Sequence, residues 1–227
     1  TSIVNSIQCT LKAIYRYGER THGLKKLDFN VIKFSQKSKT KEPLTLEKEM
    51  IIWQYCLNNK ERISLAMSLG LYAGLRIGEI CALKWEDIDL ENSMISITKT
   101  VQRLKSENHE QKTQLYILEP KSTSSIRSVI LPDFLTEYLK KYNDLYNKDF
   151  FILSNKEIPV DPRIIQKNFR KICKANDIDA TFHTLRHTYA TNCIKTNIDV
   201  KTLSETLGHA NVNITLNRYV HSSLDTK

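Results

Sequence analysis

The sequence predicts an α+β chain, mainly helical, with a small antiparallel β-sheet set into a helical domain. Three observations carry that reading. Apolar residues recur at three- and four-residue steps through most of the 227 residues. Short β-rich runs are confined to one middle stretch, from Met94 to Leu131. Only 6 glycines and 5 prolines are present, and 26% of residues are charged, which excludes collagen-like, low-complexity and largely disordered chains. With 41% hydrophobic residues the chain can bury a sizeable core. No stretch approaches the roughly twenty apolar residues of a membrane span.

Each element follows in order. Ile3, Ile7, Leu11, Ile14 and Tyr15 define one amphipathic helix over residues 4 to 22, with Gly23 just past its end. One helix cannot make a core, so its apolar stripe needs partners, which we place before Thr1. The opening Thr1-Ser2-Ile3-Val4 has no initiator Met and no charged-then-apolar leader, and we read the chain as a piece of something longer. Residues 33 to 41, K-F-S-Q-K-S-K-T-K, are polar without apolar periodicity and precede Pro43, which predicts an extended linker. The chain thus divides into 1–41, a last helix of one domain plus a basic linker, and 42–227, a second domain. There, Thr45 caps a helix with Glu47 and Glu49 in its first turn and Met50, Ile51, Trp53 and Leu57 on its apolar face. Another helical run, 62 to 73, is interrupted by Gly74, and a short helix carries Arg76 to Leu83. Met94 to Val101, Gln114 to Leu118 and Ile126 to Leu131 are the strands, ended by Pro132. Helices follow at roughly 132–146, 161–176, 183–196 and 199–207, with a short one near 212–220.

The five cysteines are an odd number, widely spaced and without a C-x-x-C pair, as expected of reduced, mostly buried thiols in the cytoplasm. Net charge is +9, which makes polyanions candidate partners. Residues 1 to 41 hold nine basic residues against Glu19 and Asp28, so they carry +7 of that charge. Lys37, Lys39 and Lys41 either belong to a solvated tether or follow a phosphate backbone.

Four stretches offer chemistry. In F-H-T-L-R-H, 182 to 187, helical spacing puts Leu185, Tyr189 and Cys193 on one stripe and His183, Arg186 and His187 on a polar one. A His and an Arg three apart can grip an anion together. His183 and His187 also have the spacing of a zinc helix, but Thr184 stands where its glutamate belongs and Arg186 beside the metal, so we expect no metal. Arg76 and Glu79 in G-L-R-I-G-E-I are three apart on a short helix between glycines. Lys121 and Arg127 bound a polar turn, P-K-S-T-S-S-I-R, between two expected strands. In L-G-H-A-N-V-N-I-T-L-N-R-Y, Gly208 suits a helix end, leaving His209 in the turn, with Tyr219 on or after the next helix. Two arginines, a lysine, two histidines and a tyrosine, without an acidic cluster for Mg²⁺ or a phosphate loop, suit metal-free phosphoryl transfer with Tyr as nucleophile.

R-I-G-E with Arg76, P-K-S with Lys121, H-T-L-R with His183 and Arg186, L-G-H with His209 and N-R-Y with Tyr219 closely resemble, in that order, the motifs of the tyrosine recombinases, or phage-type integrases. The resemblance covers about residues 42 to 227 as the catalytic domain, with residues 1 to 41 as the last helix of the core-binding domain and its linker. It implies a site-specific recombinase that cuts and rejoins DNA through a 3′-phosphotyrosyl link at Tyr219 and serves integration and excision of a phage or transposon. The implied roles are Arg76 and Arg186 on the non-bridging oxygens, His209 as a further donor, His183 as base and Lys121 as acid, with Glu79 orienting Arg76. Lys112 and Arg127 compete with Lys121, and Arg127 is also a candidate DNA contact. The implied partners are double-stranded DNA attachment sites and further copies of the chain, as a dimer or tetramer on DNA, with no cofactor, metal or membrane. A type IB topoisomerase-like enzyme and a non-catalytic DNA-binding module are the rival readings.

Overall fold

The computed structural model describes residues 2–25, 42–106, 112–119, 125–143 and 147–216. The chain divides into two units, Thr1–Thr40 and Lys41–Lys227. The first contains α1, Ser2–His22, which ends at Gly23 in a left-handed conformation. Its apolar positions Ile3, Ile7, Leu11 and Ile14 are all exposed.

The second unit is built around α3, Arg62–Tyr72, in which every residue from Ile63 to Leu71 is buried. A helix apolar on all sides needs neighbours on all sides. They are α2 (Leu46–Asn58), α4 (Ile77–Ala82), α5 (Asp133–Asn143), α6 (Pro162–Ala175) and α7 (Phe182–Lys195). Gly70 lets α7 approach, since a Cβ there would lie 3.2 Å from the Phe182 ring. Thr45 caps α2 as expected, accepting from the Lys48 amide, and Asp161 caps α6 by accepting from the Arg163 amide at 2.9 Å. Trp53, Tyr72, Phe134 and Tyr138 stack edge-on or tilted, with centroids 4.9–5.5 Å apart, and close the seam between α2, α3 and α5. A smaller core of Ala190, Cys193, Leu203 and Leu207 joins α7 to α8, Val200–Leu207. Beyond it lies α9, Val212–Thr215; the remainder of the helix expected near 212–220 lies outside the described residues.

The strands divide differently from expectation. The run Met94 to Val101 is not one strand but two, β2 (Met94–Ile97) and β3 (Thr100–Lys105), which belong to separate antiparallel sheets. β2 lies between β1 (Ile88–Asp89) and β5 (Arg127–Ile130), with Ile95 opposite Val129. β3 pairs with β4 (Thr113–Leu118), Thr100 opposite Leu118. β4 and β5, the strands on either side of Lys121 in sequence, therefore belong to different sheets, and Lys121 itself lies outside the described residues. The second sheet positions the site, because β3 packs on α4 so closely that a Cβ at Gly78 would lie 2.6 Å from Thr100 Oγ1 and 2.8 Å from the Val101 carbonyl. Cys56, Cys81, Cys173 and Cys193 are buried thiols and Cys9 is exposed. Among the described residues no helix is long and apolar enough to cross a membrane.

Candidate active site

Three elements meet at the site: the start of α4, the middle of α7 and the end of α8. Gly74, with φ +65°, turns the chain from α3 into α4 against the face of Tyr189, whose ring would lie 2.4 Å from an added Cβ. That turn aims the Gly74 carbonyl at α7, where it accepts from Arg186 Nη1 at 2.8 Å. Arg186 Nη2 donates to the Leu207 carbonyl at 2.6 Å and lies 3.1 Å from His209 Nε2. The side chain is 1% exposed. A guanidinium tolerates such burial only when most of its donors are engaged, and the two carbonyls and the imidazole take up three of its five N–H groups.

Arg76 stands immediately before α4. Its backbone N–H donates to Glu79 Oε2 at 2.8 Å, its Nη1 to Glu79 Oε1 at 2.7 Å and its Nη2 to the Gly208 carbonyl at 3.0 Å. Arg127, from β5, forks onto the same carboxylate, Nη2 to Oε2 at 2.9 Å and Nη1 to Oε1 at 3.1 Å, while its Nε donates to the Thr206 carbonyl at 2.5 Å. Three successive carbonyls, Thr206, Leu207 and Gly208, thus each receive a different arginine. A helix leaves its last carbonyls without intrahelical donors, and its C-terminus is the negative end of the dipole, so α8 ends in a natural guanidinium receptor. Gly208, with φ +62°, makes the left-handed turn that sends the chain on to His209.

Burial pushes the Glu79 carboxyl up, but the hydrogen bond from Arg127 and the charges of Arg127, Arg76 and Arg186 outweigh it and hold the group at about 2. One carboxylate among three guanidinium groups leaves a strongly positive centre, suited to an anion. His209 is half-buried, and its Nδ1 lies 2.8 Å from Thr215 Oγ1 in α9. Because a guanidinium only donates, the contact with Arg186 assigns Nε2 as acceptor and puts the proton on Nδ1, donated to Thr215. His183, exposed in the first turn of α7, shares a cleft of about 350 Å³ with Arg76, Gly78, Thr100, Gln102 and Gln166. Among the described residues no three His, Cys, Asp or Glu side chains gather as a metal site.

Of the residues singled out in the sequence, Arg76, Glu79, Arg186 and His209 come together, and His183 joins Arg76 at the cleft. Lys121, Tyr219, Lys37, Lys39 and Lys41 lie outside the described residues. Two expectations are corrected. Arg186 is not on an open polar face, because α8 and the Gly74 turn cover it. Arg127 is not a surface side chain: it is 6% exposed and forked onto Glu79. Lys112 is exposed beside the end of β3, its carbonyl accepting from the Ser106 amide at 3.3 Å. Thr215 and the receiving carbonyls were not legible. Gly74 and Gly208 were visible as helix-end glycines, which is the signal that marks their carbonyls as turned out of a helix.

The Phage integrase family model matches residues 43–225. A tyrosine recombinase XerC-like protein of Caldanaerobacter subterraneus subsp. tengcongensis is 31% identical over 181 residues, covering 70% of this chain and 46% of that protein. Transposase A from transposon Tn554 of Staphylococcus aureus is 32% identical over 199 residues, covering 86% of this chain and 52% of the transposase. The chain spans about half the length of the curated relatives it matches. Among solved structures, the Tn1549 transposon integrase in complex with transposon right end DNA superposes with a TM-score of 0.81 at 21% identity, covering 100% of this chain and 79% of that one. With its arginines gathered at the end of α8 and a family match over most of its length, the chain belongs to the phage integrase family, the tyrosine recombinases.

Proposed function

We propose that the chain is the strand-cutting and rejoining part of a site-specific DNA recombinase, acting on double-stranded attachment sites to integrate and excise a mobile element. The observation that supports this best is the gathering of Arg76, Arg186 and His209 at one helix end, in a centre carrying more positive charge than its single carboxylate can balance. Fixed guanidinium donors, Arg186 with His209 Nε2 seated against it, stabilise the charge that develops on the non-bridging oxygens of a phosphodiester under attack. In this reading the Tyr219 oxygen attacks phosphorus, the bond to the 5′-oxygen breaks, and a 3′-phosphotyrosyl link forms. His183 takes the phenol proton and Lys121 gives one to the departing 5′-oxygen. A free phenol titrates near 10, so at neutral pH only about one in a thousand is ionised and a base is needed. Attack by a 5′-hydroxyl of the partner strand reverses the step. The phosphodiester energy stays in the protein–DNA bond, so the reaction as proposed requires neither ATP nor metal. Assembly as a dimer or tetramer on DNA, in the cytoplasm, belongs to the same proposal.

The test is incubation with nicked DNA from the ends of the encoding element, in EDTA, followed by a denaturing gel. A covalent protein–DNA band that is lost in Tyr219→Phe is expected. A band that survives that substitution would overturn Tyr219 as the nucleophile, and no band on DNA that the protein binds would overturn the reading and favour a DNA-binding module. Exchange of strands between two duplexes, as opposed to relaxation of one supercoiled circle, distinguishes a recombinase from a topoisomerase.

A further inference from the structure

Arg127 lies on β5, 48 residues from Glu79 and 79 from Thr206 in sequence, yet it touches both. Each oxygen of Glu79 receives one hydrogen bond from Arg76 and one from Arg127: Oε1 from the two Nη1 atoms, Oε2 from the Arg76 amide and Arg127 Nη2. A carboxylate forked by Arg127 has its plane fixed before Arg76 binds to it. The same guanidinium bears on the end of α8, donating to the Thr206 carbonyl at 2.5 Å and leaving so little room that a Cβ at Gly208 would lie 2.9 Å from Nη1. Arg76 has two side-chain acceptors, Glu79 Oε1 and the Gly208 carbonyl, and Arg127 holds the groups that carry both. The Leu207 carbonyl, which receives Arg186, lies between the Thr206 carbonyl and Gly208.

We propose that Arg127 is a positioning residue for strand cleavage: it locks Glu79 and the end of α8 at a fixed separation, and so sets the aim of Arg76 and, through Leu207, of Arg186. The proposal rests on the cut-and-rejoin reading above. Lysine cannot replace it, because one ammonium has no planar fork to span a carboxylate while reaching a helix carbonyl behind it.

The experiment compares the parent chain with Arg127→Lys and Arg127→Ala on nicked DNA at saturating concentration, measuring the single-turnover rate of covalent-complex formation, DNA affinity and the thermal midpoint. Crystal structures of the parent and Arg127→Lys are determined in parallel. Expected for Arg127→Lys is a rate about 10²-fold lower, the scale of an ångström-sized misplacement, with DNA affinity within threefold of the parent. Arg127→Ala should be slower still, so that lysine rescues only part of the loss. In the Arg127→Lys structure the Arg76 bond to the Gly208 carbonyl should be broken. Cleavage within threefold of the parent, or a loss matched by equal loss of DNA affinity, would overturn the proposal. A parent that forms no Tyr219-dependent link would overturn the functional reading instead, and the crystal structures then decide alone: Arg76 unmoved in Arg127→Lys would sink the positioning role.

Discussion

Two of the three arginines at this site, Arg186 and Arg76, are held by opposite means. Arg186 stands inside the packed body of the second unit, 1% exposed, and is held by two carbonyls and an imidazole. Arg76 stands at the rim, its side chain 37% exposed, and is steered by a carboxylate and one carbonyl. The first is part of the core that happens to present a guanidinium; the second is a surface group that is aimed. Chemistry and stability should therefore be inseparable at Arg186 and separable at Arg76.

The largest effect that can break this contrast comes from truncating each arginine. Arg186→Ala and Arg76→Ala should each slow cleavage by about 10²–10³, the scale of losing one transition-state donor. In urea denaturation they should part, with Arg186→Ala losing about 3 kcal/mol because buried carbonyls lose their donors, and Arg76→Ala about 1 kcal/mol because Arg127 still holds Glu79. Equal stability losses would show that burial does not distinguish the two.

Acid sharpens the contrast next. Glu79 has its folded value depressed from 4.5 to about 2, so its contribution is fully present above about 4.5 and is lost as pH falls through about 2. Over that window the parent should lose about 3 kcal/mol that Glu79→Gln does not lose, read from denaturation midpoints at pH 5, 3.5 and 2. Parallel curves for the two proteins would mean that the arginines do not hold the carboxylate ionised. The smallest effect belongs to Thr215→Val, which removes the acceptor of the His209 proton but leaves both arginines in place. Cleavage about fivefold slower is expected, in line with one hydrogen bond of about 1 kcal/mol, and a loss as large as that of Arg76→Ala would make His209 their equal.

The helices were legible because their apolar spacing is local, and so was the Arg76–Glu79 pair, three residues apart on one short helix. The corner between β2 and β3 was not. Ile95, Ile97 and Val101 are all buried at odd-numbered positions, and only the exposed Lys99 between them interrupts the alternation at the corner. Arg186 looked like part of a polar face because the elements that cover it come from far along the chain: its bond to Gly74 spans 112 residues. Arg127 was misjudged for the same reason. A lone basic residue near a polar turn reads as a surface charge, and nothing within its own strand shows the carboxylate and helix end that receive it.

The aromatic seam has a practical consequence for watching this protein unfold. Trp53 lies in that seam and Trp85 is buried in the same unit, and the chain has only these 2 tryptophans. Emission excited at the red edge of their absorption reports the second unit alone and is blind to α1, whereas far-ultraviolet dichroism sees the helices of both. The gap between the two melting curves, if one opens, is a direct reading of how independently the two units hold together.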